Sequence, residues 1–224
     1  MKAGKVRKKV LALLLAGTAI LGLTGGGTMQ VEAAGQENAY VDTSSYEQLY
    51  KLYEDYFKLG IACQAMDHWN DPTAEIGNQE KEELINRMFN SMTFGNELKP
   101  AYNFDASSEN LFKVDFAAEE MLEWAKENNM KVRGHVLVWH SQVDPSIFAI
   151  DYQAYADGKL TKSDTAKLDE ECLVDREELL ARLKRYIYGV LEYTYKNGYA
   201  DVIYAWDVVN EAADENQYDG LRRS

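Results

Sequence analysis

The sequence predicts an α/β fold with four parallel strands, and the polar ends of these strands favour a barrel over an open sheet. Strand-like and helix-like segments alternate from the first predicted strand to the fourth, which is the order found in parallel α/β proteins. Polar side chains end three of these strands, and barrels collect such groups on one rim. An open, doubly wound sheet is the competing fold, but it usually has a glycine-rich turn after its first strand. Residues 63–66 contain no glycine.

The first 33 residues have the composition of a secretory signal peptide. A basic segment precedes an apolar run over residues 10–23, and Val31 and Ala33 occupy the two positions read by the signal peptidase. A retained membrane anchor is the alternative, but the apolar run is short for a spanning helix. We therefore expect cleavage after Ala33 and a secreted, extracellular protein with no membrane contact. Residues 34–224 would form one domain.

The net charge of the predicted mature chain disfavours negatively charged partners. Removing residues 1–33 takes away five basic residues and one acidic residue, which leaves 19 basic and 36 acidic residues and a formal charge of −17 over 191 residues. This acidity argues against nucleic acid and anionic membranes as partners. A neutral ligand such as a sugar polymer is not repelled. Solubility alone explains the same charge equally well.

The two cysteines are too few for a disulfide scaffold or for a zinc site made of cysteines. Cys63 lies in an apolar, strand-like run and Cys172 lies in a polar connection. A secreted protein can join two such residues, so a bridge between them stays an open alternative.

The first half of the domain alternates two predicted helices with two predicted strands. Ser44 and Glu47 form a capping-box pattern, and residues at helical spacing follow: Tyr46, Leu49, Tyr50, Tyr53 and Phe57. Residues 60–66 are the first predicted strand, and a loop follows at Asp71-Pro72. The next helix has its apolar face at Leu84, Ile85, Met88 and Phe89. Residues 91–98 form the second strand, and residues 100–114 are predicted to be a loop.

The second half adds two helices and two strands. Asp115 caps a helix that presents four residues to the core: Ala118, Met121, Leu122 and Ala125. Residues 132–139 form the third strand, and residues 143–174 form a long acidic connection. A helix begins at Asp175 and ends at Gly198, with an apolar face listed here: Leu179, Leu183, Ile187, Val190 and Leu191. Residues 202–210 form the last strand, whose apolar run with little alternation is typical of a parallel strand covered on both faces.

The third strand combines hydrogen-bonding and apolar groups in a way that suits sugars. Strand alternation places His135, Leu137 and Trp139 on one face and His140 on the other. A histidine below a tryptophan offers a polar group beside a flat apolar surface, which matches the hydroxyl edge and the C–H face of a sugar ring. A metal site of His135 and His140 is disfavoured because they lie on opposite faces. A histidine buried in the core remains an alternative for His135.

Two segments together resemble glycoside hydrolase family 10, the endo-β-1,4-xylanases. They are residues 133–142, Arg-Gly-His-Val-Leu-Val-Trp-His-Ser-Gln, and residues 206–212, Trp-Asp-Val-Val-Asn-Glu-Ala. A third match begins with Phe-Asn-Ser-Met-Thr at residue 89 and continues with Asn-Glu-Leu-Lys-Pro from residue 96. The resemblance extends from about Tyr46 to Ser224, and the order and separation of the segments agree with the family.

The resemblance implies a retaining hydrolase of xylan and xylo-oligosaccharides without a metal or an organic cofactor. Its fold would be a (β/α)8 TIM barrel, of which this chain holds about the first four β/α units. Glu211 would be the general acid/base, which protonates the leaving oxygen while a second carboxylate attacks the anomeric carbon. Asn210 would hydrogen-bond the sugar 2-hydroxyl. The family likeness also implies a set of residues on the non-reducing side of the substrate: Asn96, Lys99, His135, Trp139 and Gln142.

The sequence departs from the family pattern in three places. Gly95 stands where the family usually has a sugar-binding glutamate, and the connection over residues 143–174 is longer than usual. The nucleophile of the family, near the end of the seventh strand, has no counterpart among these 224 residues. We therefore expect the N-terminal half of a xylanase, weakly stable because four strands leave two bare edges, and inactive alone. Another retaining glycanase, such as a cellulase or mannanase, and a non-catalytic carbohydrate-binding protein are the alternatives.

Overall fold

Four parallel strands form one sheet in a computed structural model of the chain, which describes residues 45–65, 71–151 and 173–222. The strands are β1 (Gly60–Cys63), β2 (Ser91–Phe94), β3 (Lys131–Gly134) and β4 (Ile203–Trp206). Each pairs in parallel with the next one along the chain, in the order β1-β2-β3-β4. The predicted order of parallel neighbours is therefore confirmed, although every strand is shorter than predicted.

Helices connect the strands. They are α1 (Gln79–Met88), α2 (Pro100–Asn103), α3 (Phe116–Glu127) and α4 (Arg176–Lys196). Asp115 caps α3 and Asp175 caps α4, because their carboxylates accept the backbone N–H groups of Ala117 and Glu178 that have no partner inside the helix. The predicted cap at Asp115 and the predicted start of a helix at Asp175 are confirmed. Among the described residues, no helix has the length and apolar character needed to cross a membrane.

Two predicted elements differ in the structure. The helix expected from residue 46 onward is a short 3-10 helix, Leu49–Leu52, followed by turns; Ser44 of its predicted capping box lies outside the described residues. The predicted loop over residues 100–114 begins with α2, where Pro100 stands at the first helical position and suits it because its ring fixes φ. The connection after β3 contains a second 3-10 helix, Pro145–Phe148, and residues 152–172 lie outside the described residues.

The buried stripes of the helices are narrower than predicted. Ile85 and Val190 are buried, whereas their neighbours Leu84 and Leu191 are exposed. Consecutive residues on a helix point about 100° apart, so a helix that packs through one narrow face buries only one of them. The prediction for α3 is confirmed, since all four of its expected core residues are buried between the helix and the sheet.

One side-chain contact joins the first strand to the last. The ammonium of Lys58, just before β1, lies 5.5 Å from the centroid of the Tyr204 ring in β4, which is cation–π range.

β4 is more exposed than predicted. Tyr204, Val208 and Val209 are all exposed, although the sequence pattern predicted a strand covered on both faces. Among the described strands β4 pairs only with β3, so no described strand lies beside its second edge.

Cys63 at the end of β1 is a buried free thiol, and burial raises its pKa to about 12. Cys172, which the sequence offered as a bridging partner, lies outside the described residues.

Gly134 at the end of β3 allows the Trp206 ring to pack directly on the backbone, because a Cβ at this position would lie 2.3 Å from that ring. We expect Gly134→Ala to lower the free energy of unfolding by about 3 kcal/mol, the upper end for overpacking. Urea unfolding followed by circular dichroism measures the loss. Gly220→Ala is the control: that glycine has no neighbour within 4 Å and a φ of +70°, so only the conformational cost of roughly 1 kcal/mol is expected. Equal losses in the two variants would contradict the packing argument.

Candidate active site

Backbone pairing between β3 and β4 continues past the ends of both strands and brings two distant segments together. Leu137 N–H donates to the carbonyl of Asp207 (3.1 Å), and Val138 N–H donates to that of Val208 (3.0 Å). Asn210 N–H donates back to the carbonyl of Val138 (2.9 Å). Residues 139 and 211, which follow these pairs, are therefore placed side by side on the rim.

Glu211 is held at this rim by three contacts. Its Oε2 accepts a hydrogen bond from Trp139 Nε1 (2.9 Å) and lies 3.8 Å from Nε2 of His140. Its backbone carbonyl accepts from Arg222 Nε (2.9 Å). Its φ is +53°, a left-handed conformation that is uncommon outside glycine and that concentrates at functional sites. The side chain is 49% exposed, so the carboxylate is fixed in position and open to a ligand.

A polar and aromatic surface adjoins Glu211. Lys99 Nζ donates to Asn96 Oδ1 (2.9 Å) and lies 5.3 Å from the centroid of the Trp139 ring, which is cation–π range. Gln142 Nε2 lies 3.5 Å from the same Asn96 oxygen, at the limit of a hydrogen bond. Burial lowers the pKa of Lys99, although the negative charge of Glu97 acts in the opposite direction. Asn96, Lys99, Trp139, Gln142 and Glu211 thus form one connected group, which we call the rim cluster.

Asp207 orients His135 beside the rim cluster. Its Oδ2 lies 2.9 Å from His135 Nδ1, and its Oδ1 accepts from Arg133 Nε (2.9 Å). An ionised carboxylate can only accept, so Nδ1 carries the proton and Nε2 stays available to a ligand. Burial alone would raise the pKa of Asp207, but the hydrogen bonds from His135 and Arg133 outweigh it and lower the pKa.

Glu97 positions the chain segments that follow β1 and β2, on the side of the rim away from Glu211. It is fully buried. Its Oε1 accepts the backbone N–H of Ala65 (3.0 Å) and its Oε2 accepts that of Asn96 (2.9 Å). A buried carboxylate is tolerated only when hydrogen bonds satisfy it, and these two bonds join the chain after β1 to the chain after β2.

The other two predicted site residues lie at the edge of the rim cluster. The centroid of the His135 ring is 6.3 Å from that of Trp139, and His135 is half-buried rather than part of the core. Asn210 is tied to Val138 through its backbone, but its side-chain amide makes no hydrogen bond to any described residue.

The predicted alternation of residues 135–140 is wrong. Leu137 is buried in the core, while Trp139 and His140, which were assigned to opposite faces, both approach Glu211. β3 ends at Gly134, so the period of two that holds in a pleated strand no longer applies beyond it.

Three residues that position the site were not assigned this role by the sequence analysis: Glu97 and Asp207 were not singled out, and His140 was considered only as a metal ligand. All three stand inside the motifs that carried the family resemblance, so the motifs contained them without revealing what each side chain contacts. No periodicity predicts that a carboxylate after β2 bonds to the chain after β1.

The rim cluster offers a ligand hydrogen bonds, one ammonium group and the face of an indole ring. Within residues 45–65, 71–151 and 173–222, no group of three or more His, Cys, Asp or Glu side chains is arranged to hold a metal ion. Such a surface is suited to a neutral ligand with many hydroxyl groups, because hydroxyls pair with the polar groups and C–H faces pack on the ring.

Comparisons with known proteins connect this chain to one family. The model of glycosyl hydrolase family 10 matches residues 48–224. The chain is 39% identical over 176 residues to an endo-1,4-beta-xylanase A of Caldicellulosiruptor sp., covering 79% of this chain and 22% of that protein. It is 31% identical over 219 residues to a beta-1,4-xylanase of Dictyoglomus thermophilum, covering 97% of this chain and 47% of that protein.

The same family appears among solved structures. The crystal structure of a Clostridium thermocellum endo-1,4-beta-D-xylanase in complex with xylohexaose aligns with a TM-score of 0.63 and 28% identity, covering 79% of this chain and 32% of that one. The chain therefore spans less than half the length of each of these three relatives.

Replacing Asp207 tests the orientation of His135. Because the folded pKa of Asp207 lies below its ordinary 3.8, its ionised form stabilises the fold above that pH, and the stabilisation is lost as the pH falls through the lowered value. We expect Asp207→Asn to lower the Tm at neutral pH by a few degrees, and the difference from the wild type to shrink in strong acid. Thermal unfolding across this pH range measures it. Asp201→Asn, at an exposed position, is the control; a difference that stays constant with pH would contradict the role of Asp207.

Proposed function

Because the chain belongs to glycosyl hydrolase family 10, we propose that it provides the acid/base group of an endo-1,4-β-xylanase, a retaining enzyme that hydrolyses internal β-1,4-xylosidic bonds in xylan. The observation that carries the proposal is the carboxylate of Glu211, held by Trp139 on an open rim. The relatives at 39% and 31% identity are xylanases.

The contacts of Glu211 fit the two proton transfers of retaining hydrolysis. The Trp139 N–H engages Oε2, and no described residue hydrogen-bonds Oε1. Oε1 is therefore the oxygen that carries the proton to the leaving glycosidic oxygen and later removes a proton from the attacking water. The mechanism also requires a carboxylate that attacks the anomeric carbon from roughly 5–5.5 Å away.

The rest of the rim cluster would bind the xylan chain. The Lys99 ammonium and the amides of Asn96 and Gln142 would hydrogen-bond hydroxyls of the xylan chain, and the open face of the Trp139 ring would pack on a xylosyl ring. His135, held by Asp207, presents Nε2 to the same ligand. The Asn210 amide, which has no partner among the described residues, is available for the sugar 2-hydroxyl. The xylohexaose bound to the Clostridium thermocellum relative supports this class of ligand.

A chimera tests the role of Glu211 in hydrolysis. Residues 48–222 replace the matching region of the Caldicellulosiruptor xylanase, and release of reducing sugar from xylan is compared with release from carboxymethylcellulose. We expect Glu211→Gln to lower kcat on xylan by about 10²–10⁴-fold, the usual contribution of a general acid. Formation of the glycosyl-enzyme from a dinitrophenyl xyloside should be little affected, because that leaving group needs no proton.

Glu215→Gln is the matched control for this substitution, since Glu215 is exposed in the loop that follows the site. It should leave both activities unchanged. Hydrolysis of xylan by the Glu211→Gln chimera at the rate of the parent chimera would show that the assignment is wrong. Faster hydrolysis of carboxymethylcellulose than of xylan would instead favour a cellulase.

We also propose that residues 1–33 direct secretion and are removed. The basic, apolar and small-residue segments of the sequence support this proposal. N-terminal sequencing of the protein from the culture medium should begin at Ala34. Recovery of the uncleaved chain in the membrane fraction would favour a retained anchor.

A further inference from the structure

Gln64 fills the space that Gly95 leaves open at the rim. Gln64 follows β1 and Gly95 follows β2, two neighbouring strands. A Cβ built on Gly95 would lie 2.9 Å from Cγ and 3.2 Å from Nε2 of Gln64, closer than side chains normally pack. The Gln64 side chain therefore lies directly against the Gly95 backbone, and any side chain at position 95 would displace it.

The backbone of Gln64 is fixed relative to the rim cluster. Its N–H donates to Glu75 Oε2 (3.1 Å), and its carbonyl accepts from the N–H of Ile76 (3.1 Å). The next residue, Ala65, is bound by the same buried Glu97 carboxylate that binds the backbone of Asn96. The Glu97 carboxylate thus fixes the position of Ala65, which follows Gln64, relative to Asn96, which follows Gly95.

The Gln64 amide has hydrogen-bonding groups to offer. The side chain is half-buried, yet its amide makes no hydrogen bond to any described residue. An amide carries two donors and an acceptor with two lone pairs, a set that matches adjacent hydroxyl groups. In contrast, the Asn96 side-chain oxygen is already engaged by Lys99.

We propose that Gln64 is a specificity-determining residue that hydrogen-bonds the hydroxyls of a xylosyl unit remote from the cleaved bond. Along the rim, Gln64 at β1 lies three strands from Glu211 at β4, so it meets a sugar beyond the one stacked on Trp139. Gly95 supports this contact indirectly, because a side chain at position 95 would displace Gln64. This inference rests on the proposed function.

A double-mutant cycle on the full-length chain tests the proposal, with xylohexaose as the probe and isothermal titration as the measurement. Gln64→Ala should weaken binding about 3–10-fold, the range of a lost neutral hydrogen bond. Gly95→Ala should weaken it similarly because the new methyl group displaces Gln64. The double variant should bind no more weakly than Gln64→Ala, because the truncated side chain leaves room for the methyl group.

Two further variants distinguish failure of this inference from failure of the proposed function. Gln79→Ala, at an exposed glutamine of α1, should bind like the wild type, and Trp139→Ala should bind weakly. Unchanged affinity in Gln64→Ala, with weakened Trp139→Ala, would overturn this inference and leave the proposed function standing. Additive losses in the double variant would overturn it as well.

Failure of the wild type to bind xylohexaose, or wild-type affinity in Trp139→Ala, would overturn the proposed function together with this inference. Circular dichroism checks that each variant is folded. If Gln64→Ala is unfolded, Gln64→Met provides the same test, because it keeps the approximate size of the side chain and removes the amide donors and acceptor. Wild-type affinity in that variant would again overturn the inference.

Discussion

The candidate site depends on backbone pairing between the segments that follow β3 and β4. Three hydrogen bonds beyond the strands, through Leu137 and Val138, keep the two chains parallel up to the rim. Because of this register, the Trp139 N–H reaches the carboxylate of Glu211 across 72 residues of sequence. Gly134 contributes to the same arrangement. Because it has no Cβ, the Trp206 ring can pack on its backbone at the point where the two segments leave the sheet.

The buried carboxylate of Glu97 has the corresponding role on the other side of the rim. It binds backbone N–H groups after β1 and after β2, where regular strand pairing has ended. A carboxylate buried in this way is costly unless its oxygens are hydrogen-bonded, so these two bonds favour the positions that both segments take. Buried groups such as Glu97 thereby position the exposed side chains of the rim cluster, although they are not themselves accessible to a ligand.

The order of elements, the caps at Asp115 and Asp175 and the core face of α3 were predictable because local periodicity and capping chemistry determine them. The family motifs also marked the residues of the rim cluster. Other features depend on tertiary contacts. Alternation failed after Gly134 because the chain leaves the strand there, and the exposure of Val208 and Val209 reflects an edge of the sheet that a local apolar pattern cannot reveal. The pairing of His135 with Asp207 likewise joins residues 72 positions apart.

Trp139 shows what these constraints mean for ligand recognition. Its single N–H is occupied by Glu211, and one side of its ring is covered by the ammonium of Lys99. The indole is therefore oriented before any ligand arrives, and only its remaining face is offered for stacking. A side chain already immobilised loses little rotational entropy on association, so a ligand that stacks on the remaining face bears little of the cost of ordering the ring.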